Sequence, residues 1–161
     1  MDFRIETTRL IDADAADIFA VLCDPQGHVA IDASGMLQDA EGEPVSAVGD
    51  TFVVHMDREP LGDIPDMGKY DVDVTIRDFE QDRLITWVIS SNGRSPIGHF
   101  FGYRLEPSDE HGTTAVTSIC DWENIPARWH ERGGFPVISE AALKATLGIL
   151  DRTVRRGYPR G

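Results

Sequence analysis

Apolar and polar residues alternate most clearly over Lys69–Phe79, where Tyr70, Val72, Val74 and Ile76 are separated by Asp71, Asp73, Thr75 and Arg77. A period of two predicts a strand with one buried face and one wet face. The opening Phe3–Ile11 is β-branched and alternates in the same way, so it predicts another strand. Asp12 or Asp14 then offers an N-cap to a helix carrying Ile18, Phe19, Val21 and Leu22, which Asp24-Pro25 brings to a stop. Residues 25–33 leave room for one short second helix.

Turn signals at hairpin intervals divide residues 35–123. They predict consecutive antiparallel strands over 36–40, 50–57, 69–79, 83–91, 99–106 and 113–122. The period then changes. Leu143, Leu147, Leu150 and Val154 recur at helical spacing, Ser139 can cap a helix over 140–156, and Gly157 can end it. The order is strand, one or two short helices, about six strands, long helix. A sheet with one apolar face and a single amphipathic helix must pack on each other, which gives a two-layer α+β domain spanning 1–161.

Charge narrows the partners. The chain of 161 residues has a formal charge of −13, and residues 1–82 alone hold 20 acids against 5 bases. Nucleic-acid binders draw affinity from basic patches, so DNA and RNA are disfavoured. No apolar run reaches the roughly 20 residues of a membrane span, and the first residues lack the build of a secretion signal. A cytoplasmic protein is the expectation; the oligomeric state stays open. The two cysteines, Cys23 and Cys120, form no CxxC pair, and the five histidines fall at no ligand spacing, so neither metal nor cofactor is expected.

The order of elements resembles the helix-grip fold of the SRPBCC superfamily, which includes START domains, birch-pollen-allergen-like proteins and polyketide cyclases. The residues that carry it are Ile11-Asp12-Ala13-Asp14 with Asp17-Ile18-Phe19 and Cys23-Asp24-Pro25. Two later stretches add to it: 98–107 (Gly-His-Phe-Phe-Gly-Tyr-Arg-Leu-Glu-Pro), and Gly112-Thr113-Thr114 leading to Cys120-Asp121-Trp122. The local likeness is to bacterial polyketide cyclase/dehydrase-like members. It implies six to seven antiparallel strands wrapped around the C-terminal helix, and a cavity between them for a hydrophobic or aromatic, lipid- or polyketide-like molecule. Two alternatives stem from the same resemblance. One is a polyketide cyclase/dehydratase-like enzyme, although the catalytic constellation of the aromatase/cyclase members has no match here. The other is an interaction module like the activators of heat-shock-chaperone ATPases.

The inward faces supply the candidate lining: Phe52, Val54, Met56, Tyr70, Val72, Val74, Trp87, Ile89, Phe101, Tyr103 and Ser118, with Leu143 and Leu147 closing over them. A hairpin turning through 107–112 pairs residues whose numbers sum to about 219–220, which sets His99 opposite Cys120 or Asp121. His99 with Asp121 is therefore the candidate catalytic pair, a carboxylate raising the basicity of an imidazole. The connections 57–68, with Leu61, Ile64 and Met67, and 124–136, with Trp129, His130 and Gly133-Gly134, are candidate lids.

Overall fold

The computed structural model describes residues 2–61, 68–91, 94–108 and 110–158. Seven strands form one antiparallel sheet in the order β1-β7-β6-β5-β4-β3-β2. They are β1 (Arg4–Ile11), β2 (Leu37–Glu41), β3 (Thr51–Asp57), β4 (Lys69–Glu80), β5 (Leu84–Ser91), β6 (Phe100–Pro107) and β7 (Thr114–Asp121). Every strand from β2 to β6 pairs with its successor, and β7 closes back on β1. The helices are α1 (Ala15–Cys23), α2 (Pro25–Ile31), α3 (Ala127–Arg132) and α4 (Glu140–Arg156). The strands and the long helix fall where the patterning predicts them. The short helix α3 lies inside 124–136, which the sequence reads only as a connection.

Asp14 stands at the N-cap of α1 without a side-chain capping hydrogen bond, whereas α2 and α4 are capped by their own side chains. The Asp24 carboxylate accepts from the Gln26 N–H at the start of α2, with Pro25 in the first turn. At α4, Ser139 Oγ accepts from the Ala142 N–H, Glu140 sits in the first turn, and Arg155 and Arg156 stand in the last. Between α1 and α2 the backbones nearly touch, because a Cβ on Gly27 would overlap the carbonyl of Val21. That contact fixes the direction of α2, and so of the side chains it presents to the sheet.

The core divides in two. One cluster joins α1, the sheet and the second half of α4 through Ile18, Phe19, Val54, Val74, Ile85, Leu105, Leu147 and Leu150. The other gathers Phe101, Cys120, Trp122, Ile125 and Leu143. Trp87 and Ile89 pack against both. Two apolar clusters under one sheet leave the interval between them as the place for a gap.

Helix α4 is pinned at its far end by a buried carboxylate. Asp151, 6 % exposed, accepts from Arg9 Nε of β1 at 2.9 Å and from Arg155 Nε at 2.7 Å. Burial alone would raise the Asp151 pKa, but the hydrogen bonds and charges of Arg9 and Arg155 outweigh it and hold the group below its usual 3.8. A depressed carboxylate contributes stability above its ordinary pKa, and loses it as pH falls through the folded value. Asp151→Asn should therefore lower unfolding free energy by about 1–2 kcal/mol at pH 7, both guanidiniums being half exposed. In urea titrations the gap to wild type should close as pH falls below 3.8.

Candidate functional site

The gap is a cavity of about 330 Å³ between the inner face of the sheet, α2 and the first half of α4. Mainly apolar clefts of this size hold small molecules. Of the thirteen lining residues expected from sequence, eleven are there: Val54, Met56, Tyr70, Val72, Val74, Trp87, Ile89, Phe101, Tyr103, Ser118 and Leu143. Phe52 and Leu147 are not. Phe52 is 3 % exposed and meets the His28 ring at 5.0 Å, while Leu147 is sealed in the first apolar cluster. Both point inward as predicted, but onto neighbours rather than into space.

The register explains the layout. Trp87 stands opposite Phe101, with rings stacked at 6.3 Å, and Phe101 stands opposite Cys120. One rung further in, Ile85 meets Tyr103, which meets Ser118. The wall opposite the sheet comes from α2 and the turn after it, where His28, Ile31, Asp32 and Met36 line the cavity. Val137 and Ile138, ahead of α4, and Thr146, along it, complete that wall. None of these was a sequence candidate. His28, Ile31 and Asp32 sit at i, i+3 and i+4, the spacing that shares one helix face, so a signal was present within a helix too short to stand out.

His99 and Asp121 do not form a pair. The β6–β7 ladder joins residues whose numbers sum to 221, so Asp121 faces Phe100. That displacement puts the carboxylate on the opposite face from His99, because side chains alternate along a strand. There Asp121 accepts from Arg4 at 3.0 Å and from the Glu123 N–H at 3.0 Å, and Arg4 and Arg77 lie over the Phe100 ring. His99 turns inward onto the edges of Phe101 and Phe135 and lines the cavity, its Nδ1 buried without a partner among the described residues.

The candidate lid 124–136 is fastened through Gly98. This residue has φ +116°, and a Cβ there would stand 2.5 Å from the carbonyl oxygen of Asn124. Phe135 then packs on His99. Of the other candidate lid, 57–68, Leu61 is exposed, while Ile64 and Met67 lie outside the described residues.

Among the described residues no group of three metal-ligating side chains gathers. The cysteines are buried and inert, burial pushing Cys23 up to about 11 and Cys120 to about 12. Two histidines of the cavity are held neutral. Burial lowers the His28 pKa against the opposing pull of the Leu22 carbonyl and Asp24, and burial alone lowers that of His99. His28 donates its Nε2–H to the Leu22 carbonyl at 2.8 Å, so Nδ1 is the acceptor nitrogen. His55, on the sheet surface, is the reverse: the Asp71 hydrogen bond raises its pKa, with Glu41 adding to it.

These shifts have a testable sign. A histidine with a depressed pKa supports the folded state fully above 6.5, and that support is lost as pH falls through the folded value. Imidazole ¹⁵N spectra at pH 6.5 should show His28 and His99 neutral and His55 mainly protonated. The reverse ordering would refute the burial argument. Gly98→Ala should cost at least about 1–3 kcal/mol in denaturant titrations from backbone strain, with the overlap on the Asn124 carbonyl adding to it.

No family model matches the chain. It is 26 % identical to the protein Rv0088 of Mycobacterium tuberculosis over 160 residues; the match takes in 96 % of this chain but spans only 65 % of that protein. Among solved structures, norcoclaurine synthase from Thalictrum flavum, in complex with dopamine and hydroxybenzaldehyde, superposes with a TM-score of 0.64 at 17 % identity. That match covers 98 % of this chain and 88 % of the synthase. Aha1 from Colwellia psychrerythraea, solved as a dimer, gives 0.63 at 19 %, covering 96 % and 97 %. Protein CV1439 from Chromobacterium violaceum gives 0.64 at 13 %, covering 96 % and 98 %. With seven antiparallel strands and a long C-terminal helix, the chain has a helix-grip fold, shared with these solved structures.

Proposed function

We propose that this protein binds a hydrophobic or aromatic small molecule between its sheet and its C-terminal helix. The observation that carries the reading is the 330 Å³ cavity itself, walled by Trp87, Phe101 and Tyr103 along one side and by aliphatic side chains around them. Leaving such surface uncovered forgoes about 25 cal/mol for each Å² that an apolar guest would bury. A neighbour of the same fold, norcoclaurine synthase, is in complex with two aromatic molecules, which supports the same use of the space here.

Catalysis on a polyketide or another aromatic precursor is the second reading. His28 favours it, a neutral imidazole of fixed tautomer on the cavity wall. The pair expected from sequence does not, since Asp121 is engaged by Arg4 on the far face. A protein-docking role has less to support it. The large apolar side chains exposed among the described residues, Leu10, Val48, Leu61 and Tyr158, belong to separate segments.

N-phenyl-1-naphthylamine, a neutral apolar fluorophore, should bind saturably at one site per chain. Ile89→Trp fills the cavity and should weaken that binding by about tenfold or more, which is about 1.4 kcal/mol. The thermal midpoint should change little, because the added indole enters existing space. Absence of saturable binding, or equal affinity in the variant, would overturn the reading. Native mass spectrometry of protein taken from its own cells should show a retained small molecule.

A further inference from the structure

The cavity is not uniformly apolar. At its inner end Tyr103 and Ser118 stand directly opposite each other across β6 and β7, 6 % and 2 % exposed. Both line the cavity, and neither hydroxyl has a hydrogen-bond partner among the described residues. They also differ from His99 Nδ1 and Trp129 Nε1, which are sealed off without partners there. Each hydroxyl therefore still faces open space, and a guest that covers it without offering a partner forgoes about 1–3 kcal/mol. Two such residues on one rung give that part of the lining a polar spot.

Two more polar groups reach the same space from α2. His28 presents an acceptor nitrogen, its Nε2–H being given to Leu22. Asp32 is held rigidly: its carboxylate accepts from the Ser34 N–H at 2.9 Å, from the Ser34 hydroxyl at 2.6 Å and from the Leu37 N–H at 3.1 Å. Asp32 also lines the cavity. Its charge, after burial, is what raises the Tyr103 pKa, so the phenol stays a neutral donor. Among the described residues, the one arginine or lysine on the lining is Arg58. It follows the end of β3, beside the Met56–Tyr70 rung rather than the Tyr103–Ser118 rung.

We infer that Tyr103 and Ser118 form a subsite for an uncharged hydroxyl on an aromatic ligand, so that the cavity takes phenol-type molecules in preference to bare hydrocarbons and to aromatic acids. This rests on the binding reading above. One ligand hydroxyl can accept from the Tyr103 O–H and donate to Ser118 Oγ, which satisfies both buried groups at once. A carboxylate at the same place would bring a second negative charge beside Asp32. An apolar ring alone would leave both hydroxyls unpaired. A phenol fits all three conditions, with its ring against Trp87 and Phe101.

Calorimetric titration of the full chain with 2-naphthol, 2-methylnaphthalene and 2-naphthoate separates the possibilities. Wild type should bind 2-naphthol about tenfold tighter than either of the others, the worth of one buried hydrogen bond. Tyr103→Phe should remove most of that preference and Ser118→Ala part of it. Neither should weaken 2-methylnaphthalene, whose binding leaves the hydroxyl unpaired, and this also shows that the cavity survives the substitution. Equal binding of 2-naphthol and 2-methylnaphthalene, or equal weakening of both by Tyr103→Phe, would overturn the subsite while leaving the cavity reading intact. Tighter binding of 2-naphthoate would overturn it in favour of a charge held near Arg58. If none of the three bound, both the subsite and the binding reading would fall.

Discussion

The cavity depends on how α4 is held. Seven strands present more inward-facing surface than one helix can cover, since 17 residues make a rod of only about 25 Å. The helix is committed to one end of that surface. Leu147 and Leu150 are sealed against α1 and the sheet, and Asp151 ties the same end to Arg9 of β1. Its first half, with Leu143 and Thr146, cannot also close onto the middle strands, so those positions border space. Filling the site would require either a longer reach from α4 or larger residues at Val54, Val72 and Val74. The sequence places valine at all three.

The polar groups of the site follow from the same arrangement. Helix α2 lies across the strands because the Gly27–Val21 contact sets its path, and this brings His28 and Asp32 over Trp87 and Tyr103. In a fully packed core these groups would need partners from the protein. Here the carboxylate has its own loop donors and the imidazole gives its N–H to a helix carbonyl, while the Tyr103–Ser118 rung keeps hydrogen-bonding capacity that faces the cavity. The fold supplies the apolar volume; the side chains of α2 and β6 give it a chemical direction.

Much of this was legible in the chain, for identifiable reasons. The strict alternation of Tyr70, Val72, Val74 and Ile76 named both a strand and its inner face, and the helical spacing of Leu143, Leu147 and Leu150 named the element that covers it. Alternation says which way a side chain points but not whether an atom waits there, so Phe52 and Leu147 were placed in the lining when neighbours in fact enclose them. Register was the weaker link. A loop of several residues can close a β6–β7 hairpin with sums of 220 or 221, and that one step moves Asp121 from the face of His99 to the face of Arg4. The α2 wall escaped because seven residues give too few turns for a period to show.

The division of the core into two clusters has a consequence for how the protein moves. Trp87 and Ile89 are the apolar residues that touch both, so side-chain packing between the halves thins beside the cavity while the sheet and α4 run through both. A guest seated there would join the two clusters into one continuous packed interior. Occupancy would then be felt as rigidity across the whole sheet, with amide exchange slowing in strands that never touch the guest.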